Sequence, residues 1–271
     1  MGDASGVETA IAAMPRGGPN ASWLDRRLQT DTLEYTDRYD VPDELKQKVI
    51  TSLDRFGTLT RLHEKNARAA LKVVTDVSAP RILEIGAGHG KLSAKIVEYH
   101  PAAIVTASDL DPASVANIAA GELGAHPRVS TQVIDATAID APDDSYDLVV
   151  FALAFHHLPP AMAYRAIAEA TRVGKQFLVI DLKRQSPISI ALPPVFGLPL
   201  LAFSALRPVL HDGFISGLRA YSHEAFTALG RAVDPRMRIE FLPAPSRFGP
   251  ASTAVLFSRP NVAAIQSSEV D

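Results

Sequence analysis

Residues 81–92 read RILEIGAGHGKL, and this stretch decides the fold. A short apolar run leads directly into glycines at positions 86, 88 and 90, and the residues that follow have a pattern typical of a helix. The pattern predicts a strand over Arg81–Ile85, a sharp turn and a helix over Lys91–Tyr99. Glycine lets the backbone turn sharply and approach a ligand closely, because it has no Cβ. In doubly wound sheets, this first crossing is where nucleotide-like cofactors bind.

The rest of the chain alternates between strand and helix patterns, which indicates a mostly parallel sheet with helices on both faces. We therefore predict an α/β fold with a doubly wound, mostly parallel, seven-stranded, Rossmann-like sheet. The further strands are predicted at Ala103–Ser108, Val129–Ile134, Asp147–Leu153, Gln176–Asp181, Arg238–Leu242 and Thr253–Phe257, and the further helices at Pro112–Leu123, Pro159–Val173 and Ser222–Val233.

Segments outside this pattern define the expected domain organisation. Residues 1–20 are rich in Gly, Ala and Pro and are expected to be flexible. A helical cap is predicted over 21–78, with a helix start at Pro42. The α/β domain is expected at 79–258, with a helical lid insertion at about 186–220, and residues 259–271 are expected to be a flexible tail.

Composition excludes several chemistries. The 271 residues include no cysteine, so a disulfide framework, a thiolate zinc site and a cysteine nucleophile are ruled out. A net charge of -3 disfavours nucleic-acid binding, which usually needs a basic face. The first residues have neither a basic region nor a sustained apolar run, so we expect no signal peptide and a cytoplasmic location.

The glycine stretch fails two common cofactor motifs. A P-loop needs G-x-x-x-x-G-K-[ST], but Ile85 and Leu92 stand at two of its required positions. A dinucleotide fingerprint needs G-x-G-x-x-G, but Lys91 occupies its third glycine position. What remains is G-x-G-x-G preceded by the acidic Glu84.

Five segments in order resemble the motifs of the class I S-adenosylmethionine-dependent methyltransferases. They are LEIGAGHG, VTASDLDP, VIDATAI, DDSYDLVVFALAFHHL and ATRVGKQFLVIDL, and they span residues 80 to about 183. Only His89 departs slightly, because the family often has a small polar residue there. The resemblance implies S-adenosylmethionine as the cofactor, and we predict no metal site.

The resemblance also implies which residues hold this cofactor. Asp109 would bind the ribose hydroxyls in preference to Asp111, and Asp135 would accept from the adenine amino group. A purely structural role stays open for each of these residues. The glycines could serve a tight turn alone, Asp109 could cap the next helix, and Asp135 could belong to a turn. The predicted cofactor-binding residues are Glu84, Gly86, Ala87, Gly88, Asp109, Leu110, Asp135, Ala136 and Phe151.

Three histidines are candidates for a general base. His156 and His157 follow the fourth strand, which in the resembled family places them beside the transferred methyl group. His211 follows the apolar insertion, and Asp212 could fix its tautomer only if the fold brings the two side chains together. Each of the three could instead shape a pocket or belong to a turn.

The absence of several motifs narrows the range of possible methyl acceptors. There is no [N/D]-P-P-[aromatic] motif after the fourth strand, no cysteine nucleophile and no glutamate pair near this loop. We therefore predict O- or C-methylation of a lipophilic small molecule such as an aromatic, quinone or polyketide-like compound. A non-catalytic cofactor-binding partner protein and an RNA methyltransferase are the alternatives. The sequence is compatible with a monomer or a homodimer.

Residues 188–206 read ISIALPPVFGLPLLAFSAL and carry no charge. Their length is about that of a membrane span. Pro193, Pro194 and Pro199 make one continuous helix costly. We predict two short apolar helices, broken near Pro199, that form a lid over an apolar pocket; peripheral membrane contact is left open.

Overall fold

The structure is a computed structural model that describes residues 4–38, 40–186, 207–245 and 252–260. Its centre is a seven-stranded sheet in the order β3-β2-β1-β4-β5-β7-β6. The first five strands pair in parallel, whereas β7 runs antiparallel to both β5 and β6. The predicted doubly wound, mostly parallel sheet is thus confirmed. The strands are β1 (Arg81–Ile85), β2 (Ile104–Asp109), β3 (Val129–Val133), β4 (Leu148–Ala152), β5 (Phe177–Leu182), β6 (Arg238–Leu242) and β7 (Ser252–Ser258).

Nine α-helices are described outside the sheet. They are α1 (Ala4–Ala12), α2 (Trp23–Leu28), α3 (Asp43–Leu59), α4 (Leu62–Val73), α5 (Lys91–Tyr99), α6 (Pro112–Ala120), α7 (Pro160–Val173), α8 (Arg207–Arg219) and α9 (His223–Val233). Helices α1, α7 and α9 cover one face of the sheet, and α4 and α5 cover the other. Two short 3₁₀ turns, Tyr35–Asp37 and Phe155–His157, lie at the edge where the parallel strands end.

Strand β1 shows why the core divides into two layers. Successive side chains of a strand point to opposite faces. Leu83 and Ile85 therefore join the core beneath α7 and α9, and Ile82 joins the core beneath α4 and α5. Glu84 alternates with Leu83 and Ile85, so this acid lies on the α5 face, where it is buried.

Most predicted elements agree with the structure to within a residue or two. The exception is α6, which ends at Ala120 and not at Leu123. Gly121 caps it, with its N–H donating to the carbonyl of Ile118. The backbone of Gly121 is extended, with φ −89° and ψ 179°, and this conformation ends the helix.

The segment that was expected to be flexible contains a helix packed on the core. Residues 4–12 form α1, which contacts α7 and α9. Ile11 and Met14 are buried in the main core, and Arg16 is buried as well. Ile11 lies in the last turn of α1 and Met14 just beyond it, and both contribute apolar contacts to the main core.

The predicted lid falls mostly outside the described residues. Residues 188–206, with the two expected apolar helices, are not described, whereas the end of the insertion forms the single helix α8. Among the helices in the described ranges, none combines the length and the hydropathy that crossing a membrane requires.

Candidate active site

The glycine loop after β1 adopts backbone conformations that favour glycine. Gly86, Gly88 and Gly90 have φ angles of 66°, 55° and 70°. A Cβ at Gly86 would also lie 2.9 Å from Phe151 Cε2 and 3.2 Å from Ala154 Cβ. The loop therefore packs closely on the end of β4, and a side chain at Gly86 would force the two apart.

Asp109 and Asp111 have different partners. Asp109, at the end of β2, accepts hydrogen bonds from the N–H of Gly88 at 2.9 Å and from the N–H of Asp111 at 3.0 Å. Asp111 caps α6, accepting from Ala113 and Ser114 N–H groups at 3.2 and 3.1 Å. Asp111 is thus the N-cap of α6, whereas Asp109 contacts the glycine loop itself.

The remaining predicted residues of the cofactor side lie at the ends of β2, β3 and β4. Leu110 is 61% exposed and presents its apolar side chain to solvent next to Asp109 in the sequence. Asp135 is exposed, and its Oδ1 accepts from the Thr137 N–H and hydroxyl, both at 2.8 Å. The side chains of the other three residues are buried at this end of the sheet; they are Ala87, Ala136 and Phe151.

Glu84 is a buried carboxyl group that connects β1 to α5. Its Oε2 accepts from the Ser93 N–H at 2.9 Å and from the Ser93 hydroxyl. Burial raises the pKa of Glu84 to about 7, although both bonds to Ser93 oppose the shift. The group can therefore carry either charge state near neutral pH.

Helix α3, which lies in the predicted helical cap, covers the glycine loop through side chains that the sequence did not single out. His89 Nδ1 lies 2.5 Å from Asp54 Oδ2, and His89 Nε2 lies 2.9 Å from Gln47 Oε1. A Cβ at Gly88 would meet Ile50 of the same helix at 4.0 Å. His89, the slight departure from the family pattern, thus fastens the helical cap to the loop.

A second group of polar side chains lies where β4 and β5 end. It joins the two 3₁₀ turns to β5 and to the last turn of α8. We call it the acceptor-side cluster; its members are Glu34, Asp37, His156, His157, Asp181 and Arg219.

His156 lies between two carboxylates. Its Nδ1 is 2.7 Å from Asp181 Oδ1, and its Nε2 is 3.4 Å from Glu34 Oε1. Burial alone would lower the pKa of His156, but Asp181 and Glu34 outweigh burial and raise the pKa to about 10. His156 therefore holds its proton near neutral pH, which makes it a poor candidate for the general base.

His157 has one anchored nitrogen. Its Nδ1 lies 2.8 Å from Asp37 Oδ2, and its Nε2 lies 3.7 Å from Glu34 Oε2. Burial would raise the pKa of Asp37, but the bonds from His157 and Arg219 outweigh it and lower the pKa to about 2. Asp37 accepts from Nδ1 of His157, so Nε2 is the ring nitrogen that this bond leaves available. His157 is also partly exposed, with 23% of its side chain accessible.

His211 lies on α8, not in a loop. The fold does bring the adjacent acid to it, since Nδ1 is 3.0 Å from Asp212 Oδ1. Asp212 also accepts from the Tyr35 N–H at 2.9 Å, and the Tyr35 ring meets the His211 ring edge-on. Helix α8 contacts both 3₁₀ turns, so His211 belongs to the same side of the molecule as His156 and His157.

Three arginines hold residues 13–38 over the edge of the sheet where the parallel strands end. We call these residues the crossing segment. Arg16 donates to the carbonyls of His156 and Arg219 at 2.8 and 2.6 Å. Arg184, which follows β5, donates to Asp25 Oδ1 at 2.9 Å and to the carbonyls of Leu218 and Ala220. Arg219 pairs with Asp37 at 2.6 Å. These bonds join the crossing segment, β5 and α8 into one unit.

The glycine loop and the acid at the end of β2 both lie within a match to a known domain. A family model described as "Methyltransferase domain" matches residues 82–176, which contain both features. The chain thus contains a methyltransferase domain, built on the mostly parallel, Rossmann-like sheet described above. No curated protein matches the sequence.

Solved structures with the same fold support this conclusion. The plantazolicin methyltransferase BpumL, in complex with a monoazolic desmethylPZN analog and SAH, superposes with a TM-score of 0.62. The two are 15% identical, and the similarity covers 94% of this chain and 99% of BpumL. A SAM dependent methyltransferase from Aquifex aeolicus has a TM-score of 0.51 at 16% identity, covering 77% of this chain and 97% of that one.

The glycine loop of this methyltransferase suits S-adenosylmethionine. The cofactor has no pyrophosphate, so the third dinucleotide glycine, replaced here by Lys91, is not needed. Asp109 lies at the end of β2, as a ribose ligand requires. Each of its carboxylate oxygens accepts one backbone bond and retains a further lone pair.

Sequence reasoning missed four members of the acceptor-side cluster: Glu34, Asp37, Asp181 and Arg219. Asp181 had a detectable signal, since it is an acid near the end of a buried strand. Glu34 and Asp37 lie over 110 residues before the histidines that they contact, in a stretch without regular periodicity. No local pattern could have identified them.

Proposed function

We propose that this methyltransferase methylates an oxygen or carbon atom of a lipophilic small molecule, with His157 as general base. The observation that carries the proposal is the His157–Asp37 pair, at the strand ends next to the glycine loop. Asp37 holds the imidazole in one tautomer, and the other ring nitrogen is partly accessible.

We propose the following roles on the cofactor side. Asp109 accepts from the ribose hydroxyls and Asp135 from the adenine amino group, while Leu110 packs against the adenine ring. Glu84 favours the positively charged methionine end electrostatically. The bound cofactor supplies a methyl group on a sulfonium, which is reactive enough that the protein contributes mainly alignment and exclusion of water.

The lipophilic nature of the acceptor rests on residues 188–206. This uncharged stretch is joined to β5 on one side and to α8 on the other, and both elements reach the acceptor-side cluster. Arg184, just before the stretch, is hydrogen-bonded to the carbonyl of Leu218 near the end of α8. The uncharged composition of residues 188–206 supports a lipophilic acceptor.

With a hydroxyl acceptor, we propose that the methyl group is transferred to oxygen in a single displacement. The acceptor oxygen forms a bond to the methyl carbon as the bond from that carbon to sulfur breaks. The hydroxyl proton moves to Nε2 of His157, and the sulfur keeps the electron pair. Asp37 stabilises the imidazolium that forms.

The test is incubation of the protein with methyl-labelled cofactor and a panel of phenols, quinones, lipids and primary amines, with an RNA pool as a further arm. We expect label in one or more phenols or quinones, and none with the Asp109→Ala variant. Transfer only to amines or to RNA would contradict the proposed acceptor class, and label in no compound would contradict it as well.

A further inference from the structure

The acceptor-side cluster contains three side chains whose donor atoms are of the types that bind metal ions. His156 and His157 both direct Nε2 toward the carboxylate of Glu34, at 3.4 and 3.7 Å. One ligand atom from each of the three residues can be chosen so that all lie within 4.8 Å of one another. Two imidazole nitrogens and one carboxylate oxygen thus converge on one point.

Two of the converging atoms are buried without a hydrogen-bond partner. Among the described residues, Glu34 Oε1 and His156 Nε2 make no hydrogen bond, although both side chains are about 5% exposed. The two atoms lie 3.4 Å apart, so a protonated His156 forms an ion pair with Glu34 there without a hydrogen bond of good geometry. A metal ion bound between them would be coordinated by both atoms.

The outer nitrogens of the two histidines are held in the way that metal ligands are held. Nδ1 of His156 lies 2.7 Å from Asp181, and Nδ1 of His157 lies 2.8 Å from Asp37. Histidines that bind metals usually donate their other ring N–H to a carboxylate or a carbonyl, which orients the ring and makes the ligating nitrogen more basic.

The charges of the cluster are compatible with a cation. Glu34, Asp37 and Asp181 are carboxylates, and Arg219 is the one guanidinium within the cluster. Arg16 lies behind it and donates to main-chain oxygens. Without a metal, protons on the imidazoles provide the balancing charge. A metal ion would replace them, because a ligating imidazole nitrogen must be free of its proton.

We propose that Glu34, His156 and His157 bind a divalent transition-metal ion of the zinc, cobalt or iron(II) type. Two imidazoles and one carboxylate suit these ions, whereas Mg²⁺ and Ca²⁺ prefer oxygen ligands alone. Three protein ligands leave at least one coordination position for water or for an acceptor oxygen. The site does not depend on the acceptor class proposed above, but a metal ion on Nε2 of His157 excludes the general-base role of this atom, because the nitrogen has only one lone pair.

The test is metal binding by the untagged full-length chain after treatment with a chelator. Co²⁺ is added while visible absorption is recorded, and Zn²⁺ affinity is measured by competition with a chromophoric chelator. We expect saturation at one equivalent. Glu34→Gln and His157→Gln should each weaken binding at least about tenfold. The matched control is His126→Gln, which removes an imidazole from the connection between α6 and β3 and should leave binding unchanged.

Folding of each variant is checked by its affinity for S-adenosylhomocysteine. Should a ligand variant fail to fold, Asp37→Asn keeps all three ligands and removes only the carboxylate behind His157; it should reduce the affinity by about tenfold. The absence of saturable Co²⁺ absorption in the wild-type chain would overturn the proposal. Equal affinities of wild type, His157→Gln and His126→Gln would also overturn it, since the ion would then be bound elsewhere.

Discussion

Glu84 is a carboxyl group inside the protein, and its charge state should affect stability. Its folded-state pKa of about 7 lies above the ordinary value of 4.5, so the unfolded chain releases the proton first as pH rises. Stability therefore falls between these two pH values and stays reduced above pH 7, by about 3 kcal/mol at most.

The corresponding prediction concerns Glu84→Gln, which keeps an acceptor for Ser93 without the charge. Urea unfolding at pH 8 should give a free energy of unfolding about 2 to 3 kcal/mol above that of the wild type, with the gap closing toward pH 4.5. The exposed Glu44→Gln serves as control for charge removal alone. A gap that stays constant with pH would show that Glu84 does not titrate as described.

Asp109 and Asp111 allow a second prediction with its own control. Asp109→Ala should weaken S-adenosylhomocysteine binding at least about tenfold, because it removes charge-assisted acceptors that also hold Gly88. Asp111→Ala should instead cost about 1 kcal/mol of stability through the lost helix cap. Calorimetric titration and urea unfolding measure the two effects. Equal losses of affinity would mean that Asp109 is not the ribose ligand.

His157 gives the third prediction at this scale. His157→Ala should lower turnover about a hundredfold, a common effect of losing a general base. The affinity for S-adenosylhomocysteine should change little, because His157 belongs to the acceptor side. His211→Ala, which removes the other partly exposed histidine of that side, is the comparison. Unchanged turnover in His157→Ala would assign this residue to packing alone.

At the scale of elements, α3 is a cap over the glycine loop that depends on few contacts. His89 bridges Asp54 and Gln47 of this helix, and both partner atoms are oxygens. The bridge uses both ring nitrogens, so loss of either partner leaves the loop and the helix less tightly connected.

Asp54→Asn should therefore accelerate release of S-adenosylhomocysteine several-fold while the core stays intact. Stopped-flow displacement measures the release rate, and thermal unfolding reports the core. Asp43→Asn removes an exposed acid from the first turn of the same helix and is the control. Equal release rates in both variants would mean that α3 does not retain the ligand.

At the scale of the whole molecule, the crossing segment brings distant parts of the chain together. The buried pair of Arg184 with Asp25 joins residues 159 positions apart, and Arg184 also binds two carbonyls at the end of α8. Removing one partner of a buried pair leaves the other charge without compensation.

Arg184→Met should thus lower the free energy of unfolding by about 3 to 5 kcal/mol. Arg165→Met breaks the exposed pair with Glu8 at the surface and should cost about 1 kcal/mol or less. Urea unfolding of both variants makes the comparison. Similar costs for the two would show that the crossing segment is not fastened by Arg184.

The sequence by itself determined the sheet, the glycine loop and the acid after β2. These features are local: a strand is visible as a short apolar run, and a glycine turn as glycines at fixed spacing. Asp109 follows from the same logic, because a strand–helix–strand unit sets its distance from Gly86 and Gly88. The order of the motifs then sufficed to identify the family.

Only the tertiary structure decided the acceptor side. Glu34 and Asp37 reach His156 and His157 because Arg16, Arg184 and Arg219 fasten the crossing segment, and no periodic pattern encodes such long-range bonds. The docking of α1 and the cover formed by α3 have the same origin. Local patterns record which face of an element is apolar, whereas the partner of a polar side chain is set by the packing of the whole chain.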